Sequence, residues 1–130
     1  MPNKRIETDD APAAIGPYSQ AVSAGGWIFC SGQIALDPDS GSLVGGGDIE
    51  YETRQVLKNL DAVLRQAGAT RADVVKATVY LTDMSEFSKM NQVYSEYFDG
   101  CGPPARTCIQ ATALPRGVRV EIDFVGRVGN

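Results

Sequence analysis

Histidine is absent from this sequence, and its absence limits the chemistry that the chain can perform. Histidine-dependent catalytic triads, cysteine–histidine dyads and histidine-containing zinc sites are excluded. A general base that works near neutral pH must then be a carboxylate, a perturbed lysine, a thiolate or a tyrosine. The cysteines are odd in number and have no CxxC spacing, so we expect reduced thiols and no metal site. They are Cys30, Cys101 and Cys108.

Arg106 is the candidate for binding an anionic substrate. It stands in the segment PPARTC, where Pro103 and Pro104 restrict the backbone just before it. Its guanidinium group could hold a carboxylate through two parallel hydrogen bonds, although an exposed ion pair is the commoner role of an arbitrary arginine. Cys108 is spaced to point to the same strand face as Arg106. Cys108 could be a nucleophile if Arg106 lowered its pKa, but we favour a thiol that packs beside the arginine.

Glu121 is the candidate for proton transfer. It lies in a segment where apolar and polar residues alternate, which predicts a strand over 118–124 with Glu121 on its polar face. Most side chains in such positions are simply exposed. In a cleft that excludes water, however, the pKa of the carboxyl group would rise and Glu121 could transfer protons. The apolar face of this strand comprises Val118, Val120, Ile122 and Phe124.

Two helices are expected to position these candidates. The first begins near Asp48, a favourable N-cap residue, and Gly68 can end it, with apolar residues at helical spacing between them. Asp83 and Glu86 resemble a capping box at the start of the second helix, which Gly100 can end. We interpret the aromatic stripe of the second helix as core rather than as a ligand site. That stripe comprises Phe87, Tyr94, Tyr97 and Phe98, together with Met90.

The remaining segments predict strands and one long loop. Gly25-Gly26 marks a hairpin turn, and the glycines of the loop over 37–47 are interpreted as turn residues rather than as a phosphate-binding loop. The order ββ-α-β-α-ββ predicts one α+β domain over residues 1–130, with two helices on one face of a mixed sheet. The predicted strands cover 18–24, 27–31, 73–82, 106–112 and 118–124.

The sheet face away from the helices is neither clearly apolar nor clearly polar. We expect it to carry Lys76, Tyr80 and Glu121, and we also assign Val74 to it. A subunit interface that buries this face would resolve the ambiguity, so the sequence predicts an oligomer.

Composition narrows the class of protein further. Twelve basic residues against sixteen acidic ones give a net charge of −4, which disfavours nucleic-acid binding. The N-terminus MPNKRIETDD has no apolar signal region, and the apolar runs are too short to span a membrane. We therefore expect a cytoplasmic protein without a membrane partner.

Segments that resemble those of one known family occur in register along nearly the whole chain. No single segment is decisive, but their number and order are specific. They are AIGPYSQAV (14–22), FCSGQIALD (29–37), VLKNLDAVLRQAG (56–68), VVKATVYLTDMSEF (74–87), MNQVYSEYF (90–98), PPARTC (103–108) and LPRGVRVEIDF (114–124). On these segments the chain resembles the RidA/YjgF family of enamine/imine deaminases.

The resemblance implies a chorismate-mutase-like α+β fold assembled as a homotrimer. The three sheets would form a central barrel with the helices outside, and the active sites would lie in clefts between neighbouring subunits. In this chain Arg106 would bind the substrate carboxylate, and Glu121 would position or activate water. The chain departs from the family at Ala35 and Glu52, where proline and glutamine are common. Residues implied to line the substrate are Tyr18, Ser31, Gly32, Asn91 and Cys108.

The activity implied by the resemblance is hydrolysis of reactive 2-enamine and 2-imine acids, such as 2-aminoacrylate and 2-iminopropanoate. The products are a 2-keto acid and ammonia, and no cofactor is needed. Such a deaminase would remove reactive intermediates of amino-acid metabolism. A trimer that binds keto acids without catalysis, or acts as a holdase, is the alternative. RNA cleavage, ascribed to some family members, is disfavoured by the acidic charge balance and the absence of histidine.

Overall fold

Six strands and two α-helices form the part of the chain that this computed structural model describes, residues 2–128. The sheet has the strand order β1-β2-β3-β6-β4-β5, in which β4 and β5 run parallel and the other neighbours run antiparallel. The expected α+β class with a mixed sheet and two helices is confirmed. The elements are β1 (Lys4–Ile6), β2 (Ala21–Ala24), β3 (Trp27–Gln33), α1 (Ile49–Gln66), β4 (Val74–Leu81), α2 (Phe87–Tyr97), β5 (Ala105–Gln110) and β6 (Val120–Arg127).

Helix α1 begins where the sequence predicts it. The Asp48 side chain accepts hydrogen bonds from the backbone N–H groups of Glu50, at 2.9 Å, and Tyr51, at 3.4 Å. These bonds satisfy N–H groups that have no partner within the helix. Gly68, with a φ of 84°, follows the helix in the left-handed conformation that glycine tolerates best. The apolar face of α1 lies against the sheet, with Leu60 among the fully buried residues.

The predicted capping box before α2 is wrong. Asp83 caps a short 3₁₀ helix over Met84–Glu86 instead, by accepting from the backbone N–H of Ser85 at 2.9 Å. The Glu86 side chain does not return to Asp83, because it forms an ion pair with Arg119 at 3.2 Å. Helix α2 therefore starts at Phe87, directly after the last residue of this 3₁₀ helix.

Several strand boundaries differ from those that the sequence predicts. Strand β1 was not predicted, because it is only three residues long and buries a single side chain, Ile6. Of the extended segment 18–24, only Ala21–Ala24 pairs as a strand. The predicted strand 118–124 is observed as Val120–Arg127, and the predicted strand 106–112 as Ala105–Gln110. The Gly25–Gly26 hairpin is confirmed, with positive φ at both glycines.

The sheet face away from the helices is called the open face below. Val74 does not lie on this face, which corrects the sequence prediction. It is 5% exposed and packs in the core, whereas Val75 is 38% exposed. The register between β4 and β6 shifts at this point, since Val74 is aligned with Gly126 and Lys76 with Val125. The extra residue of this bulge interrupts the alternation that the sequence prediction assumed.

A second bulge lies in β3, at Ser31 and Gly32, two of the expected site residues. Cys30 is aligned with Phe124 and Gln33 with Ile122, so that Ser31 and Gly32 both stand opposite the single residue between those partners. Bulges bend a strand locally and redirect its side chains. Here the bulge places the backbone of Gly32 beside the side chain of Glu121 on the neighbouring strand β6.

Candidate active site

Arg106 lies on the edge strand β5, on the face of the sheet that the helices cover. It is aligned with the fully buried Ala77 of β4. Its Nη1 donates a hydrogen bond to Oδ1 of Asn91 at 2.6 Å. Its Cζ lies 5.3 Å from the ring centroid of Phe87 and 4.8 Å from that of Tyr94. These three neighbours share one face of α2, and together with Arg106 we call them the arginine half.

The arginine half borders an open cavity of about 560 Å³ between the end of α2 and the loop before β5. Asn91, Tyr94 and Arg106 line it, as do Cys101 and Pro104. Arg106 is exposed and forms no ion pair with any carboxylate of residues 2–128. Its guanidinium group is therefore available to an anion that enters from solvent.

Cys108 follows Arg106 in β5, is aligned with the buried Val79 and packs against the core rather than lining that cavity. Burial raises the pKa of the Cys108 thiol, and the nearby charge of Arg106 offsets this only in part. A thiol with a raised pKa is a poor nucleophile at neutral pH. The geometry therefore favours the packing role for Cys108 over the nucleophilic one.

Glu121 lies on β6, on the open face of the sheet. Its side chain sits against the backbone of Gly32, where a Cβ atom would come 2.9 Å from the carboxyl carbon. Burial raises the pKa of the Glu121 carboxyl group, and the negative charge of Asp123 raises it further. A carboxyl group with a raised pKa can exchange protons closer to neutral pH than an exposed one.

Asp123 is a neighbour of Glu121 that the sequence prediction did not include. It lies on the same face of β6, and the Tyr80 hydroxyl donates to its Oδ2 at 3.2 Å. Its own pKa is raised by burial, while hydrogen bonds from Tyr80 and Thr78 and the charge of Lys76 lower it. The signal available in the sequence was the spacing of Glu121 and Asp123, which places two acidic side chains on one strand face.

Ser31 joins the bulge of β3 to the N-terminal segment. Its hydroxyl donates to the carbonyl oxygen of Ser19 at 2.6 Å, and its N–H donates to that of Gln20 at 2.9 Å. Gln20 is buried and its amide donates to the carbonyl of Pro12 at 2.8 Å, which ties down the segment before it. Tyr18, in this segment, is 53% exposed. We call Ser31, Gly32, Glu121 and Asp123 the glutamate half.

The two halves do not meet within one chain. Arg106 is aligned with Ala77, which faces the helices, and Glu121 is aligned with Tyr80, which faces away from them. Aligned residues of neighbouring strands point to the same face, so Arg106 and Glu121 point to opposite faces. Strand β4 also separates their strands. Of the expected site residues, the structure brings Arg106 to Asn91 and brings Glu121 to Gly32, which follows Ser31 in the chain.

Comparison with known proteins decides the family. The sequence model of the family described as Endoribonuclease L-PSP matches residues 8–128. The chain belongs to the RidA/YjgF family. The 2-iminobutanoate/2-iminopropanoate deaminase of Mus musculus is 52% identical over 126 residues, which cover 97% of this chain and 92% of the mouse protein.

Solved structures of RidA/YjgF relatives have the same fold. A Rid family protein of unknown function from Yersinia pestis superposes with a TM-score of 0.95 at 49% identity, covering 98% of this chain and 100% of that one. E. coli TdcF with bound serine superposes with a TM-score of 0.92 at 38% identity, covering 97% of this chain and 99% of that one. Within residues 2–128 of this RidA/YjgF chain, no helix is long and apolar enough to cross a membrane.

Proposed function

We propose that this protein is a hydrolytic deaminase of 2-imine and 2-enamine acids, which yields a 2-keto acid and ammonia without a cofactor. The observation that carries this proposal is that the Arg106 guanidinium group is held in place without a carboxylate partner among residues 2–128. An amide and two aromatic rings hold it instead. It is thus prepared for the carboxylate of a small substrate.

The relatives support the same class of ligand. The mouse relative bears the name of an imine deaminase, and the E. coli relative was solved with serine, whose carboxylate and 2-amino group match the two ends of a 2-imino acid. We propose that Arg106 binds the carboxylate end. Asn91 lines the cavity and accepts from Arg106 through Oδ1, while its amide N–H groups form no hydrogen bond within residues 2–128, so we propose them as donors to the substrate.

We propose that a complete cleft forms between two copies of the chain, in a homotrimer. One copy contributes the arginine half and its neighbour the glutamate half, because the two halves point to opposite faces of one sheet. The open sheet face also exposes apolar side chains that such an interface would bury. Among them are Phe29, at 50% exposure, and Ile109, at 46%.

The proposed reaction needs only these groups and water. Arg106 anchors the substrate carboxylate, and the Glu121 carboxylate of the neighbouring copy takes a proton from water as its oxygen attacks C2 of the imine. The new C–O bond forms while the C=N electron pair moves to nitrogen, and Glu121 passes the first water proton to that nitrogen, which becomes an amine. Glu121 then removes the second water proton from the new hydroxyl group and delivers it to the amine. The C–N bond breaks, ammonia leaves and a C=O bond remains. The raised pKa of Glu121 suits a group that both accepts and donates protons, because it brings the titration closer to neutral pH than that of an exposed carboxyl group.

The direct test measures keto-acid formation from 2-iminopropanoate generated in situ by an amino-acid oxidase, against the spontaneous rate. We expect the wild type to accelerate the reaction and Arg106→Ala to lose about a hundredfold or more in kcat/KM. Arg54→Ala is the matched control, since Arg54 is exposed and paired with Glu96 on the helices. A wild type without acceleration, or a fully active Arg106→Ala, would refute the proposal.

Non-catalytic binding of a keto acid is the second candidate, because one chain contains the whole arginine half. It predicts that 2-ketobutyrate binds while no imino acid is turned over. Calorimetric binding to the wild type and to Glu121→Gln, together with the rate assay, separates the two candidates. For either function we propose a cytoplasmic location, consistent with the free thiols of Cys30, Cys101 and Cys108.

A further inference from the structure

The guanidinium group of Arg106 is held in place without the use of a negative charge. A carboxylate partner would restrain an arginine equally well, but it would compete with the carboxylate of a substrate. Here the restraints are the faces of Phe87 and Tyr94 and the amide oxygen of Asn91. Only one N–H group of the guanidinium is engaged by a hydrogen bond within residues 2–128, so the others stay available.

The ring of Tyr94 is itself held within the core, and the ring of Phe87 packs against the core. Tyr94 is 5% exposed, and its ring centroid lies 4.9 Å from that of Phe98. Phe98 packs in turn against Phe124 of β6 at 5.8 Å. The guanidinium group therefore rests on a surface that continues into the interior of the domain. An arginine on an edge strand would otherwise lose side-chain entropy when it binds a ligand, and this loss weakens affinity.

We propose that Phe87 and Tyr94 are positioning residues, which orient the guanidinium group of Arg106 and thereby set the affinity of this protein for carboxylate ligands. The inference deepens the proposed function and rests on it for the identity of the ligand. Cation–π attraction and contact between the guanidinium plane and the rings supply the restraint. The rings act through Arg106 and need no contact with the substrate.

The hydroxyl group of Tyr94 takes no part in this restraint. It is buried and has no hydrogen-bond partner among residues 2–128. The ring face alone holds the arginine, so Tyr94→Phe should retain the positioning while Tyr94→Leu should abolish it. Phe87→Leu provides an independent variant at a residue that is only partly buried.

The first measurement is the ¹⁵N–¹H resonance of the Arg106 Nε–H group, identified by its loss in Arg106→Lys. Ring currents from Phe87 and Tyr94 should displace this resonance in the wild type and in Tyr94→Phe. Phe87→Leu and Tyr94→Leu should return it toward the position of an exposed arginine. This readout does not depend on turnover or on any ligand.

The second measurement is the affinity for 2-ketobutyrate, determined by calorimetry. We expect Phe87→Leu to weaken binding about three- to thirtyfold with kcat changed less than KM, and Tyr94→Phe to restore what Tyr94→Leu loses. Tyr51→Leu is the control for an aromatic-to-leucine change, because Tyr51 is 57% exposed on α1.

The outcomes separate this inference from the proposed function. An undisplaced Arg106 resonance in the wild type, or a displaced one that persists in Phe87→Leu, overturns the positioning role. The same holds if Phe87→Leu binds the keto acid as tightly as Tyr51→Leu does. A wild type that binds 2-ketobutyrate but does not hydrolyse imines refutes the deaminase and leaves the positioning role standing. If the wild type binds no keto acid, the resonance alone decides, and Phe87→Leu suffices if Tyr94→Leu does not fold.

Discussion

Arg106 and Glu121 point to opposite faces of the same sheet, because Arg106 is aligned with Ala77 and Glu121 with Tyr80. Strand β4 lies between their strands, which sets those two strands about 10 Å apart even before the opposed directions of the side chains are considered. A carboxylate bound by Arg106 is therefore shielded from the Glu121 of the same chain. If the two residues act on one substrate, they must come from different copies.

Gly32 should be required for activity but not for folding. A Cβ atom at this position would overlap the end of the flexible Glu121 side chain, which can move away, and so Gly32→Ala should displace the carboxylate. We expect kcat to fall about ten- to a hundredfold with an unchanged melting temperature. Gly102→Ala is the control, since nothing lies within 4 Å of the added Cβ there. A fully active Gly32→Ala would contradict the role of Glu121.

Asp123 should set the pH dependence of the reaction. Its negative charge raises the pKa of Glu121, in addition to the larger effect of burial. Asp123→Asn should therefore lower the pKa of Glu121 and move the acid limb of the kcat profile to lower pH. A ¹³C titration of the Glu121 carboxyl group checks the same shift directly. Asp39→Asn, at an exposed position, is the control, and an unmoved acid limb in Asp123→Asn would contradict the coupling.

Glu52 should make the stability of the domain depend on pH. It is 4% exposed, accepts from the Arg119 N–H at 2.9 Å, and has a pKa raised above its usual value chiefly by burial. The unfolded chain then ionises Glu52 at lower pH than the folded chain does. Stability is consequently lost as pH rises from the unfolded pKa through the folded one.

The variant that tests this dependence is Glu52→Gln, which retains an acceptor oxygen and removes the charge. Its free energy of unfolding, minus that of the wild type, should be larger at pH 7 than at pH 4, which means a relative gain in stability at pH 7. Denaturant unfolding at both pH values measures this difference, with the exposed Glu7→Gln as the control. A difference that does not change with pH would contradict the assignment to Glu52.

Tyr94 and Tyr97 should respond in opposite ways to loss of the hydroxyl group. The buried Tyr94 hydroxyl has no partner among residues 2–128, so Tyr94→Phe should leave stability unchanged or raise it by about 1 kcal/mol. The Tyr97 hydroxyl donates to Asp61 at 2.8 Å, so Tyr97→Phe should cost about 1 kcal/mol. Denaturant unfolding of both variants measures the contrast, and a larger loss in Tyr94→Phe than in Tyr97→Phe would contradict it.

The sequence predicted the structural features that depend on residues close together in the chain. The Asp48 cap predicted the start of α1, and the alternation around Glu121 predicted its face on β6. Strand β1 escaped prediction because it buries only Ile6, and the face of Val74 was wrong because a bulge adds one residue to β4. Alternation also cannot tell which face of β5 the helices cover, since this depends on its parallel pairing with β4.

The candidate site was predictable only as separate residues. Arg106 and Glu121 were candidates from residue type and spacing, and the family resemblance assigned their roles, but their opposed directions follow from the strand order, which no local pattern encodes. Phe87 and Tyr94 have the spacing of core residues and do pack in or against the core. Their contact with Arg106 depends on how α2 lies over the edge of the sheet, and the sequence pattern of α2 alone does not contain that information.

The shared cleft is tested most directly by mixing two inactive variants. Arg106→Ala retains the glutamate half and Glu121→Gln retains the arginine half, so each variant alone should be inactive. After refolding in equal amounts together, about one quarter of the clefts should contain both native residues, because each is native with a probability of about one half. We predict that the mixture recovers about a quarter of the wild-type deaminase activity. A mixture as inactive as its separate components would contradict a cleft shared between copies.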